Sequence, residues 1–154
     1  MAVGTTIGAV PATLYDDDET AWLDAMAEAA RDGRVNDLDL ANLAEYLDDM
    51  TRRDRREVES RLVVLMAHLL KWSYQPDHRS RSWRATVIEQ RQQLHRRASR
   101  GVLRNHAEEV LATVYPEAVE LAAAETGIAA GGFPSACPYT LDQLVAVDLP
   151  EVGA

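Results

Sequence analysis

The chain has 154 residues, 47% of them apolar and 27% charged, which fits one soluble domain with a core of its own. No apolar run is long enough to span a bilayer, and the one cysteine, Cys137, excludes an internal disulfide framework. The formal net charge of −9 is unevenly distributed: residues 1–51 carry −10, residues 52–104 carry +9 and residues 105–154 carry −8.

Residues 1–12 mix Gly, Thr, Ala and Pro without periodicity and read as a flexible segment. They contain no basic stretch followed by an apolar run, so no secretory signal is read and a cytoplasmic location is expected. A first helix is predicted over 17–32. Asp16, Asp17, Asp18 and Glu19 stand in its first turn, Trp22, Leu23, Met26 and Ala30 form its apolar face, and Gly33 stops it. Asn36 and Asp37 can cap a second helix over 38–50, where Leu40, Leu43, Ala44 and Leu47 recur at helical spacing. Thr51 with Asp54 resembles a capping arrangement that opens a third helix over 52–73. In it Val58, Leu62, Leu65, Leu69 and Trp72 step by four and three residues, a heptad-like seam made for another helix.

Pro76 ends that helix, and Ser80 or Ser82 caps a fourth over 83–100, with Trp83, Val87, Leu94 and Ala98 facing inward and Gly101 as its stop. A fifth helical region over 103–126 carries Val110, Leu111, Val114, Tyr115, Ala118, Leu121 and Ala122. Pro116 either kinks it or starts a new helix within it, and Gly127 closes it. Gly131, Gly132, Pro134 and Pro138 are loop signals. Thr140 then caps a short helix over 141–147.

Helices three and four, joined by a short link, form an antiparallel hairpin. That brings the arginines at the start of helix three and at the end of helix four to one end. The first group opposes its helix dipole and calls for an anionic neighbour. A basic middle between acidic flanks either neutralises itself on folding or presents a basic face.

Motifs for chemistry are few. His68, His78, His95 and His106 do not stand at i, i+4, and there is no metalloprotease, paired-cysteine or phosphate-loop pattern. His68 lies beside the seam and is expected to be partly buried. Glu45 shares a helix face with Asp48 and Asp49, an arrangement read first as a solvated or arginine-paired face. Cys137, ahead of Pro138, reads as a packing thiol. The sharpest local candidate is Arg79, Ser80, Arg81, Ser82, Trp83 and Arg84. Basic residues, hydroxyls and an aromatic at a helix start could hold an anion or a partner. The structural reading is that Ser82 caps, Trp83 packs at the hairpin turn and the arginines fork onto carboxylates.

Several stretches together resemble a bacterial family known only as domain of unknown function 29. They are the runs 68–76, 79–86 and 90–91, with Leu38-Asp39-Leu40, Leu43-Ala44-Glu45, Glu59-Ser60-Arg61-Leu62, Ala124-Glu125-Thr126-Gly127 and Cys137-Pro138-Tyr139-Thr140-Leu141-Asp142-Gln143-Leu144. The resemblance spans about residues 14–150 and implies a small helical bacterial protein. It implies no reaction, and no catalytic residue is carried over from it.

The sequence therefore predicts an all-α, single-domain helical bundle of about five to six helices built on an antiparallel hairpin, over residues 13–150, with a tail at 151–154. No catalytic residue, metal ligand or cofactor is assigned. The favoured role is a non-catalytic interaction or adaptor module that binds an unidentified protein or a second copy of itself, without membrane contact. One alternative is nucleic-acid binding through the central arginines, which a pI near 4.8 disfavours. Another is an enzyme or metal-binding protein with a site between helices, which no motif supports.

Overall fold

The computed structural model describes residues 10, 11 and 13–146, and every regular element among them is helical. The order is α1 (Leu14–Asp17), α2 (Glu19–Arg31), α3 (Leu40–Tyr74), α4 (Arg81–Ala98), α5 (Gly101–Thr126) and α6 (Leu141–Ala146). Short 3-10 turns lie at Val35–Asp37, Pro76–His78 and Ala130–Gly132. No helix among the described residues is long and apolar enough to cross a membrane. Readings for the other N-terminal residues and from 147 onward fall outside the described residues. Contacts group the chain into two units, Met1–Arg52 and Arg53–Ala154.

In the first unit the predicted first helix is divided. Asp18 leaves helical geometry, and its carboxylate accepts the Ala21 N–H at 3.0 Å, so α2 starts one residue later, at Glu19. At the other end Gly33 takes φ +68°. Its N–H reaches the Ala30 carbonyl at 3.2 Å, and the Arg34 N–H reaches Ala29 at 2.9 Å. That double closure needs a left-handed residue, which glycine supplies without strain. Trp22, Met26 and Ala29 are buried; Ala29 takes the inward place expected of Ala30, which is exposed.

Trp22 is fully buried, with Tyr15 edge-on at 4.7 Å and Tyr46 tilted at 6.0 Å. Its indole N–H donates to Asp39 at 3.2 Å, and the same carboxylate accepts from the Asn42 side chain at 2.7 Å. Asp39 also accepts the Asn42 backbone N–H, at 3.4 Å, so it caps α3 in place of Asn36 or Asp37. Those two residues fall in a 3-10 turn, where Asp37 pairs with Arg34 at 2.8 Å.

The break expected near residue 51 is absent, and α3 runs unbroken for 35 residues. Thr51 bonds back to the Asp48 carbonyl at 2.8 Å instead of capping a new start. Arg52 pairs with Asp49 one turn earlier, and no Gly or Pro interrupts the segment.

In the second unit the rest of α3 packs with α4 and α5. Arg61 meets Gln90 at 3.2 Å, Arg97 meets Glu57 at 3.0 Å and Lys71 lies over Trp83, so α3 and α4 are antiparallel. His106 meets Glu59 at 2.9 Å and Lys71 meets Glu125, so α5 runs parallel to α3. The seam Val58, Leu62, Leu65 and Leu69 is buried as predicted, against Val87, Leu94, Leu111, Val114 and Ala118 among others. Ser80, not Ser82, caps α4 by accepting the Trp83 N–H at 3.2 Å.

Pro116 sits inside an unbroken α5. The missing N–H frees the Ala112 carbonyl, and both residues are on the exposed side, where water can satisfy it. The chain then returns along the bundle. Tyr115 donates to the Pro134 carbonyl at 2.7 Å, and Arg91 donates to the Leu144 carbonyl at 2.9 Å. Thr140 caps α6 reciprocally: its hydroxyl accepts the Gln143 N–H at 3.2 Å, and the Gln143 side chain accepts the Thr140 N–H at 3.0 Å.

Leu65→Ala should lower the stability of the second unit by about 2–5 kcal/mol through lost transfer energy and a cavity, read as a shift in the denaturation midpoint. Asp39→Ala should destabilise the first unit by roughly 1–3 kcal/mol, because it removes a cap and orphans the buried Trp22 indole N–H. Hydrogen bonds from Asn42 hold the Asp39 carboxyl below its usual 3.8. Its contribution is therefore present above the ordinary carboxylate range and disappears as the pH falls through the depressed value; an acid titration of Trp22 fluorescence checks this.

Candidate functional site

Three of the stretches that carried the family resemblance, 68–76, 79–86 and 124–127, lie at one end of the second unit, where α3 ends, α4 begins and α5 ends. Lys71 is 4% exposed, deep for an ammonium group. It is held by Glu125 at 2.5 Å and lies 4.4 Å from the centroid of the Trp83 ring. The position follows from the helix: Lys71 stands between the buried Leu70 and Trp72, on a turn that α4 and α5 both cover.

Next to it, Arg79 donates to the Trp72 carbonyl at 2.9 Å and its guanidinium lies 5.1 Å from the Trp72 ring centroid. The carbonyl belongs to the last turn of α3, which has no helical partner for it, so Arg79 closes the helix end. Gln75 donates to the Thr126 carbonyl at 3.1 Å, tying the same turn to the end of α5. Gly127, at φ +76°, terminates α5 in the left-handed conformation.

Of the six sequence candidates, Arg79, Ser80 and Trp83 thus make structural bonds. Arg84 is half-buried, while Arg81 and Ser82 are exposed, the Ser82 hydroxyl 3.0 Å from that of Ser80. None of the six lines the groove along α5 or the one beside Arg91 and His95. The pair that sequence reading missed is Lys71 with Glu125. They stand 54 residues apart, and the signal was that both belong to stretches carrying the resemblance.

His68 lies one turn before Lys71. Its Nδ1 is 2.9 Å from the Val64 carbonyl, which can only accept, so Nδ1 bears the proton of the neutral ring. Burial lowers the pKa of His68 below the usual 6.5, and the Lys71 charge adds to the effect. Among the described residues no three His, Cys, Asp or Glu side chains converge as metal ligands. A groove of about 500 Å³ runs along α5, lined by Tyr115, Pro116, Val119, Ala123 and Pro134 with Glu120 and Ser135. It includes none of the six candidates.

A second surface lies in the first unit. The face of α3 that carries Leu40, Leu43, Ala44 and Leu47 is largely uncovered: Leu43 is half-buried, but Leu40 is 65% exposed and Leu47 57%, with Met50 beside them at 42%. The sequence predicted a packed face here. Asp48 flanks it, while Glu45 stands on the far side of the helix, toward Tyr15. Three large apolar side chains within four helical turns form a patch that water solvates poorly.

The chain matches the family described as Domain of unknown function DUF29 over residues 14–149 and belongs to that family. No curated protein and no solved structure matches it.

Glu125→Gln should destabilise more than Lys71→Met, because it strands a buried ammonium, whereas the lysine change leaves a carboxylate that is 40% exposed. Thermal unfolding of the two single variants and the double variant checks the order. Because the folded pKa of His68 is lowered, the unfolded chain binds the extra proton first. Stability should fall as the pH drops below about 6.5, and His68→Gln should flatten that slope.

Proposed function

We propose that this protein is a non-catalytic, self-associating helical interaction module that docks through the uncovered face of α3 in its first unit. The observation that carries this reading is the exposure of Leu40, Leu47 and Met50 on one helix. A solvated helix face ordinarily carries charge; here it carries leucine at the spacing used to pack another helix. The absence of catalysis is supported by the hairpin end, where Lys71, Arg79, Ser80 and Gln75 each serve a helix end or a buried pair.

Nucleic-acid binding is the weaker reading. Several cations of the central stretch face carboxylates: Lys71 with Glu125, Arg61 and Arg97 with Glu57, and Arg104 with Glu108 and Asp142. A paired cation releases few counterions from a phosphate backbone, and counterion release dominates such affinity.

Sedimentation from roughly micromolar to millimolar protein should show the weight-average mass rising, with the rise lost in Leu47→Glu at unchanged helicity. A wild-type chain that stays monomeric throughout would refute self-association. Sub-micromolar binding to an oligonucleotide at physiological salt, weakened by Arg81→Ala, would promote the nucleic-acid reading. Leu47→Ser should leave the unfolding free energy within about 0.5 kcal/mol of wild type, since more than half of the residue is already exposed.

A further inference from the structure

The groove along α5 has a volume of about 500 Å³, within the range of small-molecule sites. Both of its walls are fixed by the fold. One is α5 itself, which runs unbroken from Gly101 to Thr126. The other is the loop that follows, where the Gly132 N–H closes a 3-10 turn on the Ala129 carbonyl at 2.8 Å. Phe133 anchors that loop by burial, and Tyr115 ties it to α5 by donating to the Pro134 carbonyl at 2.7 Å. A preformed site loses little to ordering when a ligand enters.

The lining is chemically one-sided. Pro116, Val119 and Ala123 offer apolar surface from α5, Ser135 brings a hydroxyl from the loop, and Glu120 is the one charged residue that lines the groove. Glu120 is exposed, and among the described residues no cation pairs with it. Residues 105–154 contain eight acids and no Lys or Arg, so nothing near it in sequence competes for the carboxylate. Pro116 contributes a second acceptor. Its missing N–H leaves the Ala112 carbonyl, one turn earlier on the same exposed face, without a helical donor.

We infer that this groove binds a small organic cation with an apolar body, an alkylamine in its chemistry, with the ammonium at Glu120 and the chain against Pro116, Val119 and Ala123. The site is separate from the self-association proposed above and does not depend on it. An anion would meet a carboxylate and no lining cation, and a neutral apolar molecule would partly desolvate that carboxylate without pairing it. From Tyr115 to Ala123 the helix advances about 12 Å, close to the extended length of octylammonium with its head group. The ion pair is exposed and modest, so most of the affinity comes from the apolar chain and the selectivity comes from Glu120.

Titration with octylammonium, followed by the NMR signals of the Val119 and Ala123 methyl groups, tests this. Octanol and octanoate serve as neutral and anionic probes of the same chain length. The cation should bind with about millimolar affinity, the alcohol more weakly and the anion least. Because Glu120 is exposed, its substitution leaves the core untouched. Glu120→Gln should weaken octylammonium roughly threefold and leave octanol unchanged. Glu120→Lys should reverse the order, octanoate then binding more tightly than octylammonium. No shift at millimolar octylammonium, equal affinity for the three probes, an order that survives Glu120→Lys, or shifts confined to Leu47 and Met50 would each overturn the assignment. Tighter binding of an acetylated, amidated leucyl-lysine dipeptide than of octylammonium would overturn it too, by giving the groove to a peptide.

Discussion

The periodic seam of α3 is the constraint on which the rest of the structure depends. Apolar side chains at alternating steps of three and four can be removed from water only by helices laid along them. From Val58 to Trp72 that cover is supplied by α4 and α5, and the seam is almost entirely buried. The covering helices settle where the hairpin turns, which carbonyls of the last turn are left over and which polar residues close them. Arg79, Gln75 and Ser80 are consequences of that seam. Counted along the sequence, Leu40, Ala44, Leu47, Thr51, Asp54 and Val58 continue the same three-and-four stepping. The periodicity extends further than the cover does.

Burial of Lys71 follows from the same constraint. A residue on the turn that both neighbouring helices cover has no way to reach water directly. Its ammonium is tolerable there because Glu125 is within contact and the Trp83 face lies over it. A buried ion pair of this kind adds little net stability compared with a well-packed apolar pair. It does fix the register of α5 against α3, since only one placement brings Glu125 to Lys71. Glu59 with His106 makes a second such fixed point at the other end of the same two helices.

The sequence reveals periodicity well and cover poorly. The seam over 58–72, the cap of α6 at Thr140, and the glycine stops at Gly33 and Gly127 are local signals, and they were legible; the cap of α4 was narrowed only to Ser80 or Ser82, since either hydroxyl suits the role. The cap of α3 was misplaced by two residues because Asn36, Asp37 and Asp39 are all chemically suited to capping. The choice among them is made by the Trp22 indole, which lies far away in sequence. The continuity of α3 was missed because Thr51 with Asp54 has the composition of a helix start, while the Thr51 hydroxyl serves equally well bonded back within a helix. Nothing in a run of leucines says whether another helix covers it, so the exposed face over 40–50 read as core. The Lys71–Glu125 pair carries no local signal at all; only its place in the family pattern hinted at it.

The uneven charge is partly resolved within the fold. Lys71 meets Glu125, Arg61 and Arg97 meet Glu57, and Arg104 meets Glu108 and Asp142, so carboxylates of α3, α5 and α6 neutralise part of the arginine-rich middle. The exposed pairs among these add little stability each, but a cation already facing a carboxylate has few counterions to release from a phosphate backbone. A run of arginines in the sequence therefore overstates the basic surface that the folded chain presents, because the acids that cover it come in part from helices distant in sequence.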